Sequence, residues 1–74
     1  MNFQILIQNR AAINSLNKNF QTPLHVASAN NKYKIIEYLL EKGANIERMD
    51  KDSFTPLLLA AHQGRPQALK LLLE

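Results

Sequence analysis

A chain of 74 residues holds at most one small unit, and at this size folding buries only about 60% of the unfolded surface, which puts the chain at the margin of independent stability. With no cysteine and two distant histidines, it has neither a disulfide nor a convincing metal staple, while a 46% hydrophobic share argues against whole-chain disorder and no apolar run reaches the length of a membrane span. Nine basic and six acidic residues give +3, and their scatter along the chain, without a concentrated basic stretch beside aromatics, argues against a nucleic-acid reader.

In chain order, residues 2–9 carry the apolar pattern of a helix, followed by a polar, turn-like stretch up to Gln21. Thr22-Pro23 is a helix start. The Thr hydroxyl can accept from a first-turn amide, and proline at the first helical position forfeits no intrahelical bond. A short helix is predicted from Pro23 to Ala29, rich in the small residues Ala27, Ser28 and Ala29, and Asn30-Asn31 ends it. A second helix is predicted from about Tyr33 to Lys42, with Ile35, Ile36, Leu39 and Leu40 in one apolar stripe. Gly43 caps it in the left-handed conformation. Residues 44–54 read as a polar turn region anchored by Ile46. Thr55-Pro56 opens a third helix and Gln63-Gly64 closes it. Pro66 opens a fourth, whose predicted stripe is Ala68, Leu69, Leu72 and Leu73, with Leu71 off the stripe.

These elements repeat. Shifting the sequence against itself by 33 positions gives 11 identities in 41 gap-free pairs. They include Thr22-Pro23-Leu24 on Thr55-Pro56-Leu57, Ala27 on Ala60, and Leu39-Leu40-Glu41 on Leu72-Leu73-Glu74. Each unit is thus a pair of short antiparallel helices with a projecting loop. A single pair cannot bury its apolar faces, but stacked pairs can.

The segment Thr22-Pro23-Leu24-His25-Val26-Ala27 resembles the signature of ankyrin repeats, and the period matches that family's. Leu39-Leu40-Glu41-Lys42-Gly43-Ala44 is similar to the family's Leu-Leu-x-x-Gly-Ala segment, and Gly64 stands at its inter-helix glycine. The resemblance covers the whole chain. It implies an all-α solenoid of stacked helix pairs with projecting β-turn or hairpin loops, about 2.2 repeats in length. Residues 1–16 would end a preceding repeat, 17–49 form a complete one and 50–74 a truncated one, as in an excerpt from a longer array. Several positions depart from the family pattern. Arg10 replaces a capping glycine, and Phe20 and Ser53 replace the loop glycine, so those turns are expected to change shape. Leu58 replaces the signature histidine. The resemblance implies that His25 ties its own Thr22 to the neighbouring loop, which Leu58 cannot do.

Catalytic chemistry is not expected. His62 reads as a surface residue rather than a general base. Asp50 and Asp52 read as turn chemistry, too few for a calcium cage. Gly43 and Gly64 are the only glycines, so there is no phosphate loop. No metal and no cofactor are expected. The resemblance implies instead a non-catalytic protein-interaction module, with contacts from the loop residues Lys18, Asn19, Gln21, Met49, Lys51, Asp52 and Phe54 and the first-helix residues Ala29, Asn30, His62 and Gln63. Phe54, read as an exposed loop-tip aromatic, is the expected anchor. Thr22, Pro23, Leu24, His25, Gly43, Thr55, Pro56, Leu57 and Gly64 carry the structural signature. The competing reading is a structural spacer in a larger multi-repeat protein, such as the cytoplasmic array of an ion channel, a scaffold or a toxin. A partner protein or neighbouring repeats, with no nucleic acid and no membrane insertion, are expected. The lack of cysteine and of a signal-peptide pattern points to an intracellular, cytoplasmic setting. The apolar faces of residues 3–7 and 69–73 predict marginal stability or end-to-end self-association.

Overall fold

A computed structural model describes residues 13–73. Among the described residues, four helices run in the order α1 (Pro23–Ala29), α2 (Tyr33–Glu41), α3 (Pro56–Gln63) and α4 (Pro66–Leu73). No strand occurs among the described residues. Each pair is antiparallel, α1 with α2 and α3 with α4, and the two pairs stack so that α1 lies on α3 and α2 on α4. The predicted elements are therefore present, with α2 ending one residue early at Glu41. The role of Arg10 and the apolar pattern of residues 2–9 lie outside the described residues.

The two Thr-Pro starts work as expected. The Thr22 hydroxyl accepts from His25 N, and the Thr55 hydroxyl accepts from Leu58 N. Only the first start is reciprocal, because His25 sends its ring back to the Thr22 amide while Leu58 has no polar atom to return. Gly43 (φ 82°) and Gly64 (φ 67°) take the left-handed conformation at the ends of α2 and α3. Asn31 takes it too (φ 55°), in the turn after α1.

The core is the seam between the pairs: Leu24, Ala27, Ile36, Leu39, Ala60 and Ala68, with Ile13 beside them. Ile35, Leu40, Ala44, Leu69, Leu71 and Leu72 pack half-buried around it. The small residues of α1 and α3 bring the two short helices close, as their composition implies.

Three expectations are corrected. Leu73, placed in the α4 stripe, is 71% exposed, whereas Leu71, placed off it, packs against the core. The apolar arc of α4 is thus rotated toward α2, its one packed neighbour among the second helices. Ile46 is 47% exposed and lies outside the core, whereas Ala44, next to the capping glycine, packs against it. Phe20 (φ 60°) and Ser53 (φ 67°) keep the left-handed backbone despite carrying a Cβ. The turn shape is held by hydrogen bonds rather than by a permissive residue.

Candidate functional site

Two loops project from the helix pairs, and both are built on one side chain. In residues 17–21, Asn17 Oδ1 accepts from the amides of Asn19 (2.9 Å) and Gln21 (3.0 Å), and the Phe20 amide donates to the Asn17 carbonyl (3.0 Å). In residues 50–54, Asp50 Oδ1 accepts from the amides of Asp52 and Phe54, both at 2.9 Å, and the Ser53 amide donates to the Asp50 carbonyl at 2.9 Å. This is the turn chemistry that short Asn and Asp side chains perform. It accounts for the left-handed Phe20 and Ser53, since the chain between the bonded amides has no other way to close.

The loops are joined to each other. The Lys51 amide donates to the Asn19 carbonyl at 3.0 Å, and Gln21 Nε2 donates to Asp50 Oδ2 at 3.3 Å. Asp50 is buried. Burial pushes its carboxyl up, but the bonds from the Phe54 amide, the Gln21 side chain and the Asp52 amide together outweigh it and hold the carboxyl below the ordinary aspartate value.

His25 fastens the loops to the helices. It is fully buried. Its Nε2 lies 2.7 Å from the Phe54 carbonyl, and its Nδ1 lies 3.1 Å from the Thr22 amide nitrogen and 2.9 Å from the Thr22 hydroxyl. A carbonyl only accepts and an amide only donates, so the proton sits on Nε2 and Nδ1 accepts. One side chain thus spans the helix start of one pair and the loop of the next, as the resemblance implied.

The proposed contact residues fall into two neighbourhoods. The first is the loop row: Lys18, Met49, Lys51 and Asp52 are exposed, while Asn19 and Gln21 are half-buried and take part in the inter-loop bonds. The second is the open side of the first helices. Asn30, His62 and Gln63 are exposed there, and Ala29 is half-buried, its carbonyl accepting from Arg65 Nε at 2.8 Å. Phe54 links the two neighbourhoods. It is half-buried rather than exposed, because its ring lies over His62 with centroids 5.2 Å apart. The expectation of an exposed aromatic is corrected accordingly: Phe54 folds onto the first helix of its own pair.

Phe20, Val26, Tyr33 and Leu58 are exposed apolar residues that the sequence did not single out as such. Phe20 is 54% exposed at the loop tip, and Val26 and Leu58 stand out from α1 and α3. The signal for Phe20 was present, because a side chain on a left-handed residue inside a tight turn is pushed outward. Val26 and Leu58 carried none, since apolar residues next to a core stripe read as core.

Among the described residues no helix is long and apolar enough to cross a membrane, and no three His, Asp or Glu side chains are grouped to hold a metal ion.

A family profile for ankyrin repeats, three copies long, matches residues 2–74. The chain is 40% identical over 62 residues to the nuclear factor NF-kappa-B p105 subunit of Gallus gallus, covering 84% of this chain and 6% of that protein. It is 39% identical over 72 residues to ankyrin repeat protein OPG189 of vaccinia virus (strain Copenhagen), covering 97% of this chain and 12% of that protein. It is 39% identical over 58 residues to alpha-latrocrustotoxin-Lt1a of Latrodectus tredecimguttatus, covering 78% of this chain and 4% of that protein. The chain therefore spans only a small part of the length of these relatives.

Proposed function

The chain belongs to the ankyrin-repeat family, whose members are generally non-catalytic protein-interaction modules, and on that premise we propose that it binds a partner protein through its loop tips and the open side of its first helices. The observation that carries the proposal is the cross-tied loop row. The bonds from Asn17, Asp50 and His25 fix the backbone of residues 17–21 and 50–54, while Lys18, Lys51 and Asp52 face outward. A preordered surface loses little conformational freedom when a partner docks. Residues 17–49 act as the complete recognition unit, with 1–16 and 50–74 as parts of its neighbours.

The apolar anchor is Phe20 or Met49, both exposed beside the loop row, with Phe54 holding His62 in place behind them. The binding test uses two variants: Lys51→Ala with Asp52→Ala, and Phe20→Ala with Met49→Ala. Each is expected to weaken partner binding by about tenfold or more, the level at which a contact counts as significant. Unchanged affinity in both would overturn the loop-row assignment.

The second reading, a spacer within a longer array, is favoured by one observation. Leu58 occupies the position of His25 one repeat on, yet it is half-exposed where His25 is covered by the following loop. A spacer would show no separable partner for the isolated chain.

A further inference from the structure

We propose that the chain has a second protein-binding surface on the opposite side from the loops: the groove between α2 and α4, which takes an acidic peptide segment carrying an apolar side chain. The basic residues that look scattered in the sequence are gathered by the fold. The segments 32–42 and 65–73 carry five basic residues against two acidic ones, while the loop segments 14–22 and 44–55 carry three of each. Without Arg65, whose guanidinium is held by the Ala29 carbonyl of α1, the second-helix side still carries four basic residues against two acidic ones, while the loop side is neutral.

On that side the helices leave a groove of about 400 Å³, lined by Tyr33 and Glu37 of α2 and Gln67, Lys70 and Leu71 of α4. Tyr33 also borders a second hollow of about 360 Å³ that includes Lys32 and Lys34. Tyr33 is 47% exposed, and Lys32, Lys34 and Lys70 are exposed as well. The floor is apolar on one side, where Leu71 rests on the core. The upper end is rigid, because Asn31 Nδ2 donates to Gln67 Oε1 at 2.6 Å and Asn31 Oδ1 accepts from the Ala68 amide at 3.1 Å.

Lys70 and Glu37 line this amphipathic slot beside the Tyr33 wall, and Lys32 and Lys34 line the hollow that adjoins it at Tyr33. Charge complementarity calls for an anionic occupant, and the Tyr33–Leu71 floor calls for an apolar side chain between the charges. Glu37 decides between anionic polymers. It lies within the groove, where a continuous phosphate backbone would meet it, whereas a peptide can place its carboxylates beside Lys32, Lys34 and Lys70 and leave a neutral residue opposite Glu37. The occupant is accordingly an acidic peptide rather than a nucleic acid.

The test is panning of a displayed library of random dodecapeptides on the 74-residue chain, with selected peptides then measured against variants. Selected peptides are expected to be enriched in Asp and Glu around an aliphatic or aromatic residue. Their binding should weaken about tenfold or more with Lys34→Glu plus Lys70→Glu, and fall with added salt. Binding should be unchanged by Lys51→Ala plus Asp52→Ala, so that this surface and the loop row can fail separately. Both lysines are exposed, so the fold should survive, and amide shifts in the unaltered chain give a second readout, expected at Tyr33, Glu37 and Gln67. The proposal is overturned if panning enriches no acidic peptides, if the shifts fall on residues 50–54, or if an oligothymidylate binds the groove more tightly than the selected peptides.

Discussion

His25 and Leu58 are a comparison that the repeat supplies within one chain. The 33-residue register places them at equivalent positions, directly inside a Thr-Pro start, yet one is fully buried and hydrogen-bonded on both ring nitrogens and the other is half-exposed. Replacing His25 leaves a buried Thr22 amide without its partner and opens a cavity, so His25→Ala should destabilise by about 2–4 kcal/mol. Leu58→Ala should cost less than about 1 kcal/mol, as for a surface site. Urea unfolding of both variants tests the contrast, and equal losses would refute it. Asp50 gives a second test. Its pKa is lowered in the folded state, so the stability it contributes is complete above the ordinary aspartate value of about 3.9 and is lost as pH falls through the lower folded value. Unfolding followed from pH 6 downward should show this loss. In Asp50→Asn the acid limb should flatten while stability at neutral pH falls by about 1–2 kcal/mol. An unchanged acid limb would mean that another group carries it.

Turns rather than helices separated what the sequence revealed from what it concealed. The described helices were legible because Thr-Pro fixes the starts of α1 and α3 and Pro66 that of α4, while the stripes of α2 and α4 fix their buried faces to within one residue. The turns were not, because glycine is the usual sign of a left-handed backbone and here three non-glycine residues adopt it. At Phe20 and Ser53 the conformation is held by bonds to Asn17 and Asp50 two to four residues before the bonded amides, which residue type at the left-handed position itself does not display. Gly64 has no atom within 4 Å of an added Cβ, so Gly64→Ala should cost about 1 kcal/mol from backbone strain alone. At Ser53 strain is already present, so Ser53→Gly should be neutral or stabilising, by up to about 1 kcal/mol, once the extra entropy of the unfolded glycine is counted. Asn31 is the informative intermediate. It stands where the second unit has Gly64, and its side chain does what a glycine cannot, by accepting from the Ala68 amide in the first turn of α4. That is an N-cap supplied from the neighbouring pair, worth about 1 kcal/mol. Asn31→Ala should lose both the cap and the tolerance for the left-handed turn, about 2 kcal/mol in all, while Asn31→Gly should lose less. If the two variants are equally stable, the cap contributes nothing.

At the scale of the whole molecule, the two helix pairs are held together at both ends of their shared seam. At the loop end are His25 to the Phe54 carbonyl, Lys51 to Asn19 and Gln21 to Asp50. At the turn end are Arg65 to the Ala29 carbonyl and Asn31 to Gln67 and Ala68. Between them lies the apolar core of Leu24, Ile36, Leu39, Ala60 and Ala68. Repeat stability is a sum of weak intrinsic terms and strong nearest-neighbour terms. A pair of helices of seven to nine residues is too short to hold its own structure in water, so the interface carries the fold and neither pair should open alone. Amide exchange should therefore report similar protection for Ile36–Leu40 in α2 and Leu59–Gln63 in α3, as one cooperative unit. Removing both end fasteners, with His25→Ala and Asn31→Ala together, should lower the protection of all four described helices together, because the interface that these bonds close is what holds either pair. Two different protection levels in the unaltered chain, or losses confined to one pair in the double variant, would show that the pairs are not coupled through these bonds.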